Sequence, residues 1–159
     1  MEKLNTFINL LKSQADKGIY VWGGDGENLT AMDNPKQWIK NHETTTKNAN
    51  RALKLYDKRV AAGVTPIYAF DCSGFIFWAL KQMGLRSSDI SSRGLYGLCV
   101  PKKKADLAFG DLVFCANDKD GDGYEQAEIH HVGVYLGSGK VIECKGRDYG
   151  VVITDFNSG

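Results

Sequence analysis

Apolar residues recur along this chain with two distinct periods, and each period predicts a different kind of element. After Cys72, the residues Phe75, Ile76, Ala79, Leu80 and Met83 fall at i, i+1, i+4, i+5 and i+8, the spacing of one helical face. Asp71 is the natural N-cap of this helix and Gly84 its stop. Residues 1–14 place Leu4, Phe7, Ile8, Leu10 and Leu11 at helical spacing among Lys3, Asn5, Asn9 and Lys12, which predicts an amphipathic helix. Two further helices are expected between these. One opens at Asn34-Pro35, with proline at the first helical position and Trp38 and Ile39 as apolar anchors. The other runs from about Ala49 to Ala62, spaces Leu53, Leu55, Tyr56 and Val60 at mostly helical intervals, and stops at Gly63. Towards the C-terminus the pattern changes. The stretches 129–136 and 140–144 read as two short strands joined by Gly137-Ser138-Gly139, a local hairpin signal.

This placement gives two side chains chemical significance. Cys72 lies in the first turn of its helix, where unpaired N–H groups and the positive end of the helix dipole favour negative charge and offer donors to an oxyanion. Cys72 is therefore a candidate nucleophile, although a lone cysteine at a helix start also serves as a small buried hydrophobe. A partner base distinguishes the two, and the hairpin supplies one. In a hairpin turning at Ser138, positions whose numbers sum to about 275 or 276 face each other, which brings Glu143 within reach of an imidazole at His131. A thiol, a histidine and a third polar group that fixes the ring form the constellation that nucleophilic acyl transfer requires. His130 points to the opposite face by strand alternation and is read as structural or solvent-facing, while Trp22 and Trp78 are read as core.

Four blocks in order then resemble a known family. Tyr20-Val21-Trp22-Gly23-Gly24, Asp71-Cys72-Ser73-Gly74-Phe75, Gly110-Asp111-Leu112-Val113-Phe114 and His131-Val132-Gly133-Val134-Tyr135 are similar to the signature blocks of the NlpC/P60 cell-wall cysteine peptidases. The resemblance implies an α+β, papain-like NlpC/P60 fold with the nucleophile helix packed on a central antiparallel sheet. It also implies hydrolysis of amide bonds in peptidoglycan stem peptides, commonly the D-glutamyl–diamino acid bond, by a wall endopeptidase or a lysin of phage or prophage type. Carried over residue by residue, the implied roles are Cys72 as nucleophile, His131 as base, Glu143 as orienting group and Tyr20 as a substrate-side hydroxyl near the oxyanion. Ser73 is a further candidate substrate contact, though serine in a first helical turn is also ordinary capping chemistry. Two alternatives use the same residues differently. An acyltransferase or transpeptidase would resolve the same acyl enzyme with another acceptor, whereas a non-catalytic wall-binding module would have lost Cys72 or His131.

The chain departs from the family pattern twice. Position 143 is more usually histidine, asparagine or glutamine in the family, and a carboxylate there favours a thiolate–imidazolium pair. The separation of Gly24 from Asp71 is also long, so residues 25–69 form a helical insertion, read either as a surface decoration or as a wall of the substrate cleft.

Composition narrows the remaining possibilities. The 159 residues, 43% hydrophobic, suit a single catalytic domain spanning 1–159, expected to act as a monomer. A formal net charge of +1 indicates no nucleic-acid partner, and no apolar run approaches a membrane span. No cofactor is expected. Residues 1–14 lack the continuous apolar core of a secretory signal, so action at the wall, outside the membrane, leaves the export route open. Among the four cysteines Cys72 is read as free, Cys115 and Cys144 lie at strand ends that are candidate neighbours, and a reduced state is the default for a fold of this size with its own core. Asp118, Asp120 and Asp122, followed by Gly123, match the opening of a calcium loop that then fails at its twelfth position, Ile129, and the same residues read as a polar turn.

Overall fold

Helix α4, Cys72–Gln82, is the centre of the computed structural model, which describes residues 2–116 and 128–156. Asp71 is extended at its N-terminus and its carboxylate accepts the Gly74 N–H at 2.6 Å, satisfying one of the orphan donors of the first turn. At the other end Gly84 takes φ +71°, while Gly84 N–H and Leu85 N–H return to the carbonyls of Lys81 at 3.0 Å and Leu80 at 2.9 Å, a Schellman closure. Every residue from Ser73 to Ala79 is buried, so the helix is enclosed on all sides rather than on one face. Burying Phe75 and Ile76, each 1% exposed, contributes about 2 kcal/mol apiece.

Two sheets enclose it. Strands β4 (Leu112–Ala116), β5 (Ile129–Gly137), β6 (Lys140–Cys144) and β7 (Val151–Asp155) form an antiparallel sheet in that order, and α4 packs on β5 and β6. The smaller sheet, absent from the sequence expectation, has the order β1 (Ile19–Tyr20), β3 (Tyr68–Phe70), β2 (Asp25–Asn28), with β1 and β3 parallel. Strand alternation divides its two faces. Tyr20 and Phe70 turn towards the cluster containing Phe75, Trp78, Val132 and Ile142, whereas Ile19 and Ala69 turn towards a second cluster built on Ile39, Ala52, Leu55 and Tyr56. That second cluster belongs to the two helices expected between Gly24 and Asp71, α2 (Pro35–His42) and α3 (Thr46–Ala61), capped by Asn34 and Thr45. Helix α1, Glu2–Lys12, buries Phe7, Ile8 and Leu11 and packs on α4, and the short α5 covers Ser92–Leu98.

The expected hairpin forms between β5 and β6, with Val134 opposite Ile142 and Tyr135 opposite Val141. Its turn takes positive φ at Gly137, Ser138 and Gly139. Three expectations are corrected. Trp22 is 55% exposed rather than core, because Val21 takes the inward position and the chain turns at Gly23. Val60 faces solvent on α3, 51% exposed. Cys115 and Cys144 are not neighbours, because β5 lies between their strands, and all four cysteines are free.

Gly74 is dictated by a close backbone approach at the start of α4. A Cβ there would sit 1.9 Å from the Gly24 carbonyl oxygen, in the loop whose same oxygen accepts the Asp71 N–H at 2.7 Å. Backbone cannot yield as a flexible side chain can. Gly74→Ala is expected to destabilise the fold by about 3 kcal/mol, the upper end of overpacking costs, and chemical denaturation will measure it. A loss below 1 kcal/mol, on the order of a tolerated core swap, would contradict this packing.

Candidate active site

The strand leading into α4 and the hairpin of the large sheet bring Cys72, His131 and Glu143 together. Cys72 is half-buried at the first position of α4, with the Asp71 cap fixing the turn beneath it. His131 projects from β5 near enough to Cys72 for the sulfur to raise the imidazole pKa. Its Nε2 lies 2.8 Å from Glu143 Oε1 on β6. The imidazole and carboxylate side chains are only 18% and 14% exposed, so little solvent screens their attraction.

The reach between these strands is diagonal. Extending the observed register, Glu143 lies opposite Gly133, two residues from His131 on the same face. A Cβ at Gly133 would come within 3.3 Å of Glu143 Cβ and 2.8 Å of Val141 Cγ1. The missing side chain therefore leaves the space across which Glu143 contacts the imidazole. Glu143 is itself held from the next strand, where Thr154 Oγ1 donates to Oε2 at 2.5 Å. Three adjacent strands thus carry a relay from Thr154 through Glu143 to His131.

The electrostatics of the relay favour charge separation. Burial pulls the His131 pKa down, but hydrogen bonds and charge from Cys72 and Glu143 outweigh it and push the imidazole up to about 9. For Glu143, burial acts upwards, yet the donors from His131 and Thr154 and the nearby positive charges hold its carboxyl below the ordinary value. At neutral pH the pair is imidazolium and carboxylate. An imidazolium held in this way is a proton donor whose ring is kept from rotating.

Tyr20 ends β1. Its hydroxyl is pushed well above the ordinary range by burial first and then by the negative charge of Cys72 and Asp71, so it keeps its proton. Ser73 is buried, 6% exposed, and its hydroxyl donates to Asp71 Oδ1 at 3.3 Å. His130 is exposed. Cys115, directly opposite His131 on β4, shares the imidazole's face of the sheet. Two contacts escaped sequence reasoning, namely Thr154 behind Glu143 and Arg147, whose guanidinium lies 4.8 Å from the Tyr20 ring centroid. A lone threonine on the last strand and an arginine in a loop carry no periodic signal. The calcium candidates Asp118, Asp120 and Asp122 lie outside the described residues. Among the described residues no cluster of three or more His, Cys, Asp or Glu is arranged to hold a metal ion.

Over 119 residues the chain is 31% identical to the bifunctional muramidase/DL-endopeptidase CwlT of Bacillus subtilis, covering 74% of this chain and 33% of the relative. It is 36% identical over 94 residues to a gamma-D-glutamyl-L-lysine dipeptidyl-peptidase of Bacillus cereus, covering 57% of this chain and 26% of that protein. The chain thus spans a quarter to a third of the length of these relatives. Among solved structures, the P60 domain of an antigen from M. avium subspecies paratuberculosis shares the fold, with a TM-score of 0.59 at 20% identity over 99% of this chain and 88% of that one. RipD of Mycobacterium tuberculosis, described as a non-catalytic NlpC/p60 domain protein adapted to peptidoglycan binding, also shares it, with a TM-score of 0.59 at 18% identity over 100% of this chain and 92% of that one. The NlpC/P60 family pattern matches residues 17–159, and the chain belongs to that family.

Proposed function

We propose that this chain is a cysteine peptidase that hydrolyses amide bonds in peptidoglycan stem peptides, with the D-glutamyl–diamino acid bond as its target. The observation that carries the reading is the relay from Thr154 through Glu143 and His131 to Cys72. Relatives named as peptidoglycan endopeptidases support the substrate class. The site of action is then the cell wall. Among the described residues no helix is long and apolar enough to cross a membrane.

In this mechanism the Cys72 sulfur attacks the scissile carbonyl, and the developing oxyanion is met by the Cys72 N–H at the helix start and by the Tyr20 hydroxyl. His131, charged and held by Glu143, gives its proton to the leaving amine. The neutral ring then takes a proton from water, which attacks the acyl enzyme and releases the carboxylate product. Asp71 and Ser73 shape the turn beneath the sulfur.

A soluble L-alanyl–γ-D-glutamyl–diamino acid peptide tests the reaction and the bond together. The expected products are a free D-glutamyl carboxyl group and a free diamino acid amine, unchanged by excess amine acceptor. Conjugation of the acyl fragment to the acceptor would instead identify a transferase. No cleavage, with the peptide or wall still bound, would favour a binding module of the kind RipD is described as.

A further inference from the structure

The segment between Gly24 and Asp71 reaches the active-site face through a buried ion pair. Glu43 is the C-cap residue of α2, and its side chain is 0% exposed. A carboxylate there meets the negative end of the helix dipole and loses its hydration, so the arrangement is unfavourable without a well-matched partner. Arg147, in the loop between β6 and β7, is that partner. Its Nε lies 3.1 Å from both Glu43 carboxylate oxygens and its Nη2 lies 2.9 Å from Oε1, a forked contact that a lysine cannot reproduce. Glu43 Oε2 also accepts the Trp22 N–H at 3.3 Å, fixing the carboxylate to the turn two residues beyond Tyr20.

The guanidinium held in this way covers one face of the Tyr20 ring, 4.8 Å from its centroid. The loop is braced on α3 as well, where Arg51 binds the Asp148 carboxylate at 2.8 and 3.0 Å and Arg59 Nη2 donates to the Tyr149 carbonyl at 3.1 Å. Strand β1 is only two residues long and the chain turns soon after it, so backbone pairing places the Tyr20 Cα but leaves its ring torsions to side-chain packing. A planar cation pinned by a buried carboxylate removes that freedom.

We propose that Glu43 and Arg147 form a clamp that positions Tyr20, keeping its hydroxyl aimed at the oxyanion beside Cys72; this rests on the peptidase reading above. Glu43 and Arg147 are positioning residues that act through the phenol. Through them the helical segment α2–α3 contributes to turnover without touching the reacting atoms.

A double-mutant cycle on soluble stem peptides tests the clamp. Arg147→Met is expected to lower kcat about tenfold or more with KM little changed, as misplacement of a catalytic group does. In the Tyr20→Phe background the same substitution is expected to cost less than about twofold, since the group it positions is gone. Arg147→Lys keeps the charge but loses the planar fork and should match Arg147→Met. Because Arg147→Met leaves Glu43 buried without its partner, Glu43→Gln/Arg147→Met is run beside it with thermal melts, and the cycle is read on the variant that retains a cooperative transition. Equal losses in both Tyr20 backgrounds, or full kcat in Arg147→Lys, would overturn the clamp. Failure of the peptidase reading has a different signature, because wild type itself would then leave the stem peptide uncleaved or pass its acyl fragment to an amine acceptor. A readout independent of turnover is the ζ-carbon resonance of Tyr20 in 13C-tyrosine protein, assigned by Tyr20→Phe. It is expected to shift in the Glu43→Gln/Arg147→Met protein, and an unmoved resonance would also overturn the clamp.

Discussion

His131→Ala is expected to lower stem-peptide cleavage by about a thousandfold, with a smaller change in KM. The side chain performs both proton transfers in the proposed cycle, and general acid–base catalysis by a placed group is worth roughly 10²- to 10⁴-fold. It also supplies the positive charge beside the Cys72 sulfur, since the imidazole is held up to about 9 and is protonated at neutral pH. The same substitution should therefore slow alkylation of Cys72 by iodoacetamide, read by peptide mass mapping. The ring is not part of the apolar core, so the variant should retain its circular dichroism spectrum. Residual activity above about a tenth of wild type would show that the proton transfers are carried elsewhere, because it falls far short of the loss expected for a general acid–base group.

The second large effect concerns pH. Glu143→Gln keeps one oxygen to accept from His131 Nε2 and turns its amide NH2 to Thr154 Oγ1, which accepts from it, but removes the charge that stabilises the imidazolium. With wild type, the alkaline limb of kcat/KM should fall near the imidazolium pKa of about 9. In Glu143→Gln that limb is expected to move to lower pH by about one unit or more, the size of effect an opposite charge in contact produces. The rate at alkaline pH falls with it. A profile unchanged by the substitution would contradict the role given to the carboxylate. Stability follows the same linkage. His131 is raised on folding from 6.5 to about 9, so its contribution is complete below about 6.5 and is lost as pH rises through about 9. Glu143 is depressed on folding, so its contribution is present above its ordinary value of 4.5 and is lost as pH falls through the lowered one.

How much of this site could be read from the sequence depended on the range of each interaction. The Asp71 cap, the Gly84 stop and the Gly137-Ser138-Gly139 turn are local devices, and each appears where its residues predict. The hairpin register made Glu143 a neighbour of His131 because only 12 positions separate them. Even there, the diagonal contact depends on Gly133, whose missing side chain is informative only once the strands are paired. Thr154 reaches Glu143 across the β6–β7 pairing, whose connection at residues 145–150 is longer than the two-residue turns that fix a hairpin register. Arg147 and Glu43 are 104 positions apart and meet only because α2 and the last loop converge on β1. Trp22 was misassigned because an aromatic residue beside a strand suggests burial, whereas alternation after Val21 turns it outward. Contacts between elements, rather than within them, were the part that periodicity did not encode.

Digestion of purified peptidoglycan by wild type and Cys72→Ala, with products identified by mass spectrometry, tests the proposed chemistry most directly. Wild type is expected to release fragments with new amino termini at the diamino acid of the stem peptide, and Cys72→Ala, folded to the same melting temperature, is expected to release none. Equal release by both proteins, or no release by wild type while it still binds the wall, would contradict the assignment of Cys72 as the nucleophile of a stem-peptide hydrolase.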